Sequence, residues 1–225
     1  MLHLEAVEHR FEGRSDKAPP ALDVPALDIK AGQLTVIRGP SGSGKTTLLY
    51  VLSGLIRPTS GQVRWGDVDI AGLGEGARDR WRRRNAGFVF QNFNLIEEMS
   101  PLGNVTLAAY FSAFTDASVR TRGKSLLQQF GVADEARRVS SYSRGEQQRV
   151  ALARALVFDP PILFADEPTA SLDEGNSAEL CQAFKQLAGE GRTVVAVSHD
   201  PLLIEAADAV VRLDHGRVVE RELVA

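Results

Sequence analysis

Cysteine is nearly absent from this chain of 225 residues. The single cysteine, Cys181, has no second thiol with which to form an internal disulfide, so disulfide-stapled secreted folds are excluded. Cys181 falls in an apolar helical pattern with Leu180, Phe184 and Leu187. That pattern predicts a buried packing residue in a reducing compartment rather than a reactive thiol.

The sequence also lacks an uninterrupted apolar run long enough to cross a bilayer. It does not open with a basic and then apolar stretch followed by a cleavage site, which would mark a secretory leader. We therefore expect a protein that is neither exported nor integral to a membrane. If it serves a membrane process, it must dock onto another polypeptide.

A large excess of charge of one sign is missing as well. The formal net charge is -3, so no bulk electrostatic field favours nucleic acid or an anionic membrane, and no nucleic-acid partner is expected. The concentrated basic stretch at residues 78–84 has five arginines, with Asp79 and Trp81 interleaved. We interpret it as the solvated face of a helix.

The chain does contain a regular succession of apolar segments. With 44% hydrophobic residues, it is expected to form one globular domain over residues 1–225. Runs rich in β-branched residues predict strands at 34–37, 87–90, 162–165, 193–197 and 209–213. Helical patterns lie at about 45–54, 103–114, 119–130, 145–158 and 175–189. The alternation predicts an α/β fold around a mostly parallel sheet.

Three stretches depart from this alternation. Residues from about 93 to 158 are mostly helical with no clear strand, and we expect them to form a helical lobe inserted into the sheet domain. Residues 13–20 collect glycine, serine, aspartate and two prolines, which indicates a loop. The glycine-containing turn at 214–217, between apolar runs, predicts a hairpin.

A phosphate-binding loop follows the strand predicted at 34–37. Its pattern G-x-x-x-x-G-K-[ST] is formed by Gly39, Pro40, Ser41, Gly42, Ser43, Gly44, Lys45 and Thr46. The glycines let backbone N–H groups converge on phosphate oxygens, and the following helix, where Thr47 lies, adds its dipole. Lys45 is suited to neutralise the β- and γ-phosphates and the Thr46 hydroxyl to bind Mg²⁺. Kinases, GTPases and motors share this loop, so it predicts nucleotide binding without fixing the reaction.

The strand predicted at 162–165 delivers two adjacent acids, Asp166 and Glu167, at its carboxyl end. Open α/β sheets build their sites at that edge. Because neighbouring residues of a strand point to opposite sides, the two carboxylates are expected to differ in role. Asp166 is suited to hold Mg²⁺ and Glu167 to orient and polarise an attacking water. Taken without the phosphate loop, the pair could equally be a solvent-facing turn.

A second helix start lies at residues 141–156, with a hydroxyl, a glycine and an acid in its first turn. Ser143 and the Gly145 N–H could donate to a γ-phosphate there, with the helix dipole behind them. Alone, the segment could also be a well-capped structural helix.

This segment resembles the signature motif of ABC ATPases, and it stands in that family's order, after the phosphate loop and shortly before Asp166. The family pattern is Leu-Ser-Gly-Gly-Gln. Here Tyr142 replaces Leu, Arg144 replaces the first Gly and Glu146 replaces Gln, while Ser143 and Gly145 remain.

Further residues match the family's other motifs, in order, over essentially the whole chain. Gln91 matches the Q-loop glutamine, which senses Mg²⁺ and nucleotide, and Asp173 matches the D-loop. His199 matches the switch histidine that contacts the γ-phosphate. Phe11 resembles the aromatic residue that stacks on adenine. Taken singly each match is weak; their order and spacing carry the resemblance.

The resemblance implies a P-loop NTPase core with an N-terminal antiparallel β subdomain and an inserted helical lobe. It implies ATP and Mg²⁺ as cofactors and a head-to-tail dimer, in which Ser143, Gly145 and Glu146 act on the partner's nucleotide. It also implies integral membrane subunits that dock around residues 92–98, which would hold the protein on the cytoplasmic face of the inner membrane.

Within the family, residues 85–95 and the compact length most resemble ATP-binding subunits of the lipoprotein-releasing and macrolide-export type. The ATPase of an uptake system is the alternative. A soluble ABC ATPase fits less well, because repair ATPases separate phosphate loop and signature by a long coiled coil and translation factors usually carry two cassettes. A P-loop small-molecule kinase would need neither the signature helix nor the D-loop.

Overall fold

The computed structural model of the protein describes residues 1–11, 13, 18–110, 117–132 and 137–224. Its strands in chain order are β1 (Leu2–His9), β2 (Leu22–Ile29), β3 (Leu34–Arg38), β4 (Ser60–Trp65), β5 (Val68–Asp69), β6 (Ala86–Val89), β7 (Ile162–Asp166), β8 (Thr193–Val197), β9 (Ala209–Asp214) and β10 (Arg217–Leu223). Its α-helices are α1 (Lys45–Leu52), α2 (Glu75–Asn85), α3 (Pro101–Tyr110), α4 (Ala117–Gln129), α5 (Arg144–Leu156), α6 (Glu174–Gly189) and α7 (Pro201–Ala206).

An antiparallel sheet forms the N-terminal subdomain, with strand order β2-β1-β4-β5. In β1 and β2 the same pattern of buried and exposed positions repeats, because one face of this sheet packs on the core. Leu4, Val24 and Val63 on that face pack with Leu48 of α1. The subdomain therefore shares its core with the helix that follows the phosphate loop.

A six-stranded sheet of order β10-β9-β3-β8-β7-β6 forms the centre of the molecule. All neighbouring pairs are parallel except β9 and β10, which form the predicted C-terminal hairpin. Every residue of β7 and β8 is buried, because both faces of this sheet are covered. The carboxyl ends of the five parallel strands meet at one edge, where α/β proteins bind their ligands.

Helices α3, α4 and α5 pack on one another. Their shared apolar cluster includes Leu102, Val105, Val119, Leu127 and Val150. The part of residues 93–158 that the structure describes contains no strand, in agreement with the helical pattern predicted there.

The predicted elements are found with small shifts at their ends. The strand predicted at 87–90 is β6, which runs one residue earlier, and the helix predicted at 103–114 begins at Pro101. Residues 111–114 of that helix, and residues 14–17 of the loop predicted at 13–20, lie outside the described residues. The basic stretch lies on α2, none of whose residues is fully buried. The six-residue helix α7 was not predicted.

Cys181 is buried, as predicted, and burial raises the pKa of its thiol to about 11. No helix within the described ranges is both long and apolar enough to span a membrane.

Candidate nucleotide-binding site

The loop between β3 and α1 lies at the carboxyl edge of the central sheet. Gly39 begins it and has no room for a side chain, because a Cβ there would lie 2.0 Å from the carbonyl oxygen of Leu213. Gly44 ends it in the left-handed region, at φ 99°, which favours glycine. The two glycines fix the path of the loop into the N-terminus of α1.

The ammonium group of Lys45 lies against the backbone of this loop. Its Nζ donates to the carbonyl oxygens of Gly39, at 2.9 Å, and Pro40, at 3.1 Å. Lys45 is also the first residue of α1, where the free N–H groups and the helix dipole are positive. An anion that enters the loop therefore meets two sources of positive potential.

Asp166 ends β7 and is almost fully buried. The Thr46 hydroxyl donates to Asp166 Oδ1 at 3.1 Å, which joins the start of α1 to the end of β7. Burial raises the pKa of Asp166, and hydrogen bonds from Thr46 and Tyr50 oppose that rise. The Thr46 hydroxyl and the Asp166 carboxylate, both hard oxygen ligands for a metal ion, thus lie side by side. The hydrogen bond from Tyr50 to Asp166 was not predicted from the sequence.

Glu167 follows in an unusual backbone conformation, with φ 44°. A residue other than glycine rarely adopts this region, and such strain is concentrated at functional sites. Its N–H donates to the carbonyl oxygen of Val197 at 2.9 Å, which ties it to the end of β8. Its Oε2 lies 2.9 Å from Nδ1 of His199, and the two side chains are 15% and 75% exposed. The largely buried carboxylate is therefore oriented by an accessible imidazole.

A cleft of about 690 Å³ opens over the phosphate loop. The predicted site residues that line it are Phe11, Gly39, Ser41, Gly42, Gly44, Lys45, Thr46, Thr47, Gln91, Glu167 and His199. Pro40, Ser43 and Asp166 do not line it; Asp166 is reached through Thr46. Phe11 is 42% exposed, and its ring meets that of His9 edge to face at 4.9 Å. One cavity thus collects an aromatic ring, an anion-binding loop, an amide, a carboxylate and an imidazole.

The turn of the β9–β10 hairpin forms a wall of this cleft that the sequence did not predict. His215 and Gly216 line the cavity together with residues 19–21. The Gly216 N–H donates to the carbonyl oxygen of Ser43 at 2.9 Å, so the turn abuts the phosphate loop. The glycine-containing turn predicted the hairpin, but no local signal connects it to a loop so far away in the chain.

The signature residues lie apart from the cleft. Ser143 caps α5: its hydroxyl accepts from the Glu146 N–H while the Glu146 carboxylate accepts from the Ser143 N–H, a capping box. Hydrogen bonds to this carboxylate from the Ser143 N–H and the Ser143 hydroxyl lower the pKa of Glu146. None of Ser143, Gly145, Glu146 and Asp173 lines the cleft.

The starts of α5 and α6 meet at Asn176. A Cβ on Gly145 would lie 2.0 Å from Asn176 Oδ1, so a larger residue there would displace the Asn176 side chain. Asp173 caps α6 by accepting from the Asn176 N–H at 2.9 Å, and hydrogen bonds to Asn176 lower its pKa. The predicted signature and D-loop residues are therefore neighbours on a second surface of the molecule.

Residues 22–170 match the sequence model of the ABC transporter family. The chain belongs to that family. Its fold is also that of a solved dimer of the ATP-binding cassette MJ0796 in a post-hydrolysis state with ADP and Pi, with a TM-score of 0.90 and 35% identity over 100% of this chain and 99% of that one. The predicted family and fold class are confirmed, and the chain is an ATP-binding ABC cassette.

Two curated relatives match most of this chain at similar levels of sequence identity. The macrolide export ATP-binding/permease protein MacB 1/2 of Paracoccus denitrificans is 42% identical over 194 residues, which are 86% of this chain and 29% of the relative. The uncharacterized ABC transporter ATP-binding protein Mb2593 of Mycobacterium bovis is 40% identical over 193 residues, 85% of this chain and 58% of the relative. The chain thus spans less than two thirds of either relative.

Proposed function

We propose that this ABC cassette binds and hydrolyses ATP to drive transport through separate membrane subunits, in a system of the macrolide-export or lipoprotein-release type. The observation that carries the hydrolytic part is the single cleft that holds Lys45, Gln91, Glu167 and His199 around the phosphate loop. The similarity to MacB proteins supports the type of transport.

In this proposal the nucleotide lies along the cleft, with its base on the ring of Phe11 and its phosphates in the loop. The exposed aromatic face suits stacking on adenine. The loop from Gly39 to Gly44 presents backbone N–H groups to phosphate oxygens, and Lys45 exchanges its two backbone carbonyl partners for the β- and γ-phosphates. The remaining residues of the loop, Pro40, Ser41, Gly42, Ser43 and Thr46, and then Thr47, complete this nucleotide site.

The donors next to the loop suit Mg²⁺. The Thr46 hydroxyl, the Asp166 carboxylate and the Gln91 amide offer hard oxygen ligands, and Mg²⁺ is usually bound by one or two carboxylates together with substrate phosphates. When bound, the ion would neutralise charge that develops on the β- and γ-phosphates.

Glu167 and His199 act on the reacting end of the nucleotide. Glu167 accepts a hydrogen bond from the attacking water and polarises it, and His199 contacts the γ-phosphate. His199 Nδ1 lies 2.9 Å from Glu167 Oε2. This contact links the two roles, because the imidazole that reaches the phosphate also orients the carboxylate. In this mechanism the protein accelerates hydrolysis mostly by positioning the attacking water and the γ-phosphate and by stabilising the charge that develops on the phosphates.

A second copy would complete the site, head to tail. The N–H groups in the first turn of α5, beside Ser143 and Gly145, form an anion-accepting helix end that does not line the protomer's own cleft. In the dimer it faces the partner's γ-phosphate, with Glu146 and Asp173 beside it. The dimeric MJ0796 cassettes support this arrangement.

The membrane partner would dock on the groove beside Gln91, next to residues 92–98. This groove has a volume of about 430 Å³; its apolar lining includes Phe88, Phe90 and Ala108, and Arg83 and Arg154 also line it. Apolar side chains of a cytoplasmic segment would fill the groove, and acidic ones would meet the arginines. Docking there would hold the protein on the cytoplasmic face of the inner membrane, and no role in binding nucleic acid is proposed.

Co-purification from the native membrane tests this function. The tagged Glu167→Gln variant is held with ATP in mild detergent, and a protein with several membrane spans is expected to accompany it. Ala108→Glu, which places a charge in the groove, should lose that protein, whereas Arg120→Glu, on the exposed face of α4, should retain it. Recovery of ribosomes or nucleic acid instead would favour a soluble ABC ATPase. Recovery of the membrane protein of an uptake system would favour the importer alternative.

A further inference from the structure

The arginine that departs from the family's signature pattern contacts the segment after Gln91. The guanidinium carbon of Arg144 lies 4.6 Å from the centroid of the Phe93 ring. A cation at this distance over a ring is attracted by the quadrupole of the ring. The Arg144 Nη1 also lies 3.5 Å from Gln147 Oε1, at the outer limit of a hydrogen bond. Gln147 is on the same helix as Arg144, whereas Phe93 lies outside α5.

Phe93 belongs to a tight and strained turn. Phe93 and Asn94 both have left-handed backbone conformations, at φ 59° and 48°. The Phe93 N–H donates to the carbonyl oxygen of Phe90 at 2.9 Å, so the turn closes around Gln91. Two consecutive residues of this kind persist only where their surroundings hold them.

Helix α5 supplies the groups that hold this turn. Arg154 donates from Nη1 to the carbonyl oxygen of Asn94 at 2.6 Å and from Nη2 to that of Phe93. Within the described residues Arg154 has no carboxylate partner, and burial lowers its pKa; its guanidinium is hydrogen-bonded to these two backbone oxygens. Arg144 covers the ring of Phe93, which is 1% exposed. The first turn of α5 thus contacts the ring of Phe93, and its last turn holds the backbone of Phe93 and Asn94.

We propose that Arg144 is a positioning residue that couples the two nucleotide sites of the dimer. Gln91 lines the protomer's own cleft, whereas the start of α5, with Ser143, meets the partner's nucleotide; this inference therefore rests on the proposed function. Because Arg144 fastens that helix start to the turn beside Gln91, a change at one nucleotide moves the group that contacts the other. Glycine at this position, as in the family pattern, lacks a side chain to make the link.

Steady-state ATP hydrolysis by Arg144→Gly, Arg144→Lys and Phe93→Leu tests the coupling. Arg144→Gly should lower kcat about 2- to 5-fold, the loss expected of one cation–π contact at an exposed site, and bring the Hill coefficient close to 1. The affinity of the isolated protomer for ATP should stay within about twofold, because the variant leaves the cleft intact. Arg144→Lys, which keeps a cation over the ring, should retain most of the activity and cooperativity.

The double variant supplies the decisive comparison. Phe93→Leu should reproduce the effect of Arg144→Gly, and Arg144→Gly combined with Phe93→Leu should be no worse than either alone. Additive losses, an unchanged Hill coefficient in Arg144→Gly, or losses in all variants that follow a lower Tm would overturn the coupling. If the unaltered protein hydrolyses ATP without cooperativity, the coupling fails and the hydrolytic function stands. If its Glu167→Gln variant forms no dimer with ATP, the proposed dimer fails and the coupling fails with it.

Discussion

Glu167 stores backbone strain that a single substitution should release. Its φ of 44° costs a residue with a side chain roughly 1–2 kcal/mol relative to the right-handed region. Glycine pays no such cost but loses about 0.5–1 kcal/mol more conformational entropy on folding. Glu167→Gly should therefore be about 0.5–1 kcal/mol more stable than Glu167→Gln, which keeps both the backbone strain and a hydrogen-bonding group beside His199.

Urea unfolding of the nucleotide-free variants measures this difference, and thermal unfolding should show Glu167→Gly about 1–4 °C above Glu167→Gln. Ala170→Gly is the matched control: Ala170 is exposed and does not have a positive φ, so the same entropy term should make this variant less stable. If Glu167→Gly were no more stable than Glu167→Gln, the strain argument would be refuted. Both Glu167 variants should fail to hydrolyse ATP, so the gain in stability comes with loss of function.

Two further predictions concern the same cleft, and a third concerns His9, whose ring contacts that of Phe11. Lys45→Ala should weaken ATP binding at least about tenfold, because the loop loses its fixed cation; calorimetric titration would show this, and unchanged affinity would contradict it. Gly39→Ala should lower the urea midpoint and abolish nucleotide binding, since its Cβ would clash with the Leu213 carbonyl. Burial lowers the pKa of His9 below its ordinary value of 6.5. At a pH below 6.5 the unfolded chain therefore takes up a proton that the folded chain resists. Stability should therefore fall as the pH drops from 7 toward 5, and a His9→Phe variant with the same slope would disprove this.

The central sheet could be predicted because its strands are short, apolar and buried on both faces. Ile162–Asp166 and Thr193–Val197 each form such a run, and the structure finds both with shifts of no more than one residue. The phosphate loop could be predicted for a similar reason, since Gly39, Gly44 and Lys45 lie close together in sequence and their spacing reflects local backbone geometry.

The rest of the cleft depends on contacts between distant parts of the chain. Nothing in the sequence around His215 indicates that it lines a nucleotide cleft, because its position there follows from the pairing of β9 with β3. The hydrogen bond of Tyr50 to Asp166 was missed for the same reason. The antiparallel subdomain was expected only by resemblance, since the alternation of β1 and β2 contains charged residues and a proline that weaken the strand signal.

Arg144 shows how a departure from a motif can be explained only by the fold. In the sequence it is a substitution within the signature pattern, with no partner in view. In the structure it lies over the ring of Phe93, on a segment that another part of the chain brings beside it. Such a link cannot be predicted from spacing, because it depends on the packing of α5 against the turn beside Gln91.

The Glu167→Gln variant with Mg²⁺ and ATP tests the central claim most directly. Light scattering coupled to size-exclusion chromatography would give its mass, and phosphate release would give its turnover. We predict that it binds ATP with the affinity of the unaltered protein, forms a stable dimer and releases no phosphate beyond background, because the proposed role of Glu167 is to act on the attacking water and not on binding. Turnover near that of the unaltered protein would contradict the role of Glu167 and the hydrolytic account built on it.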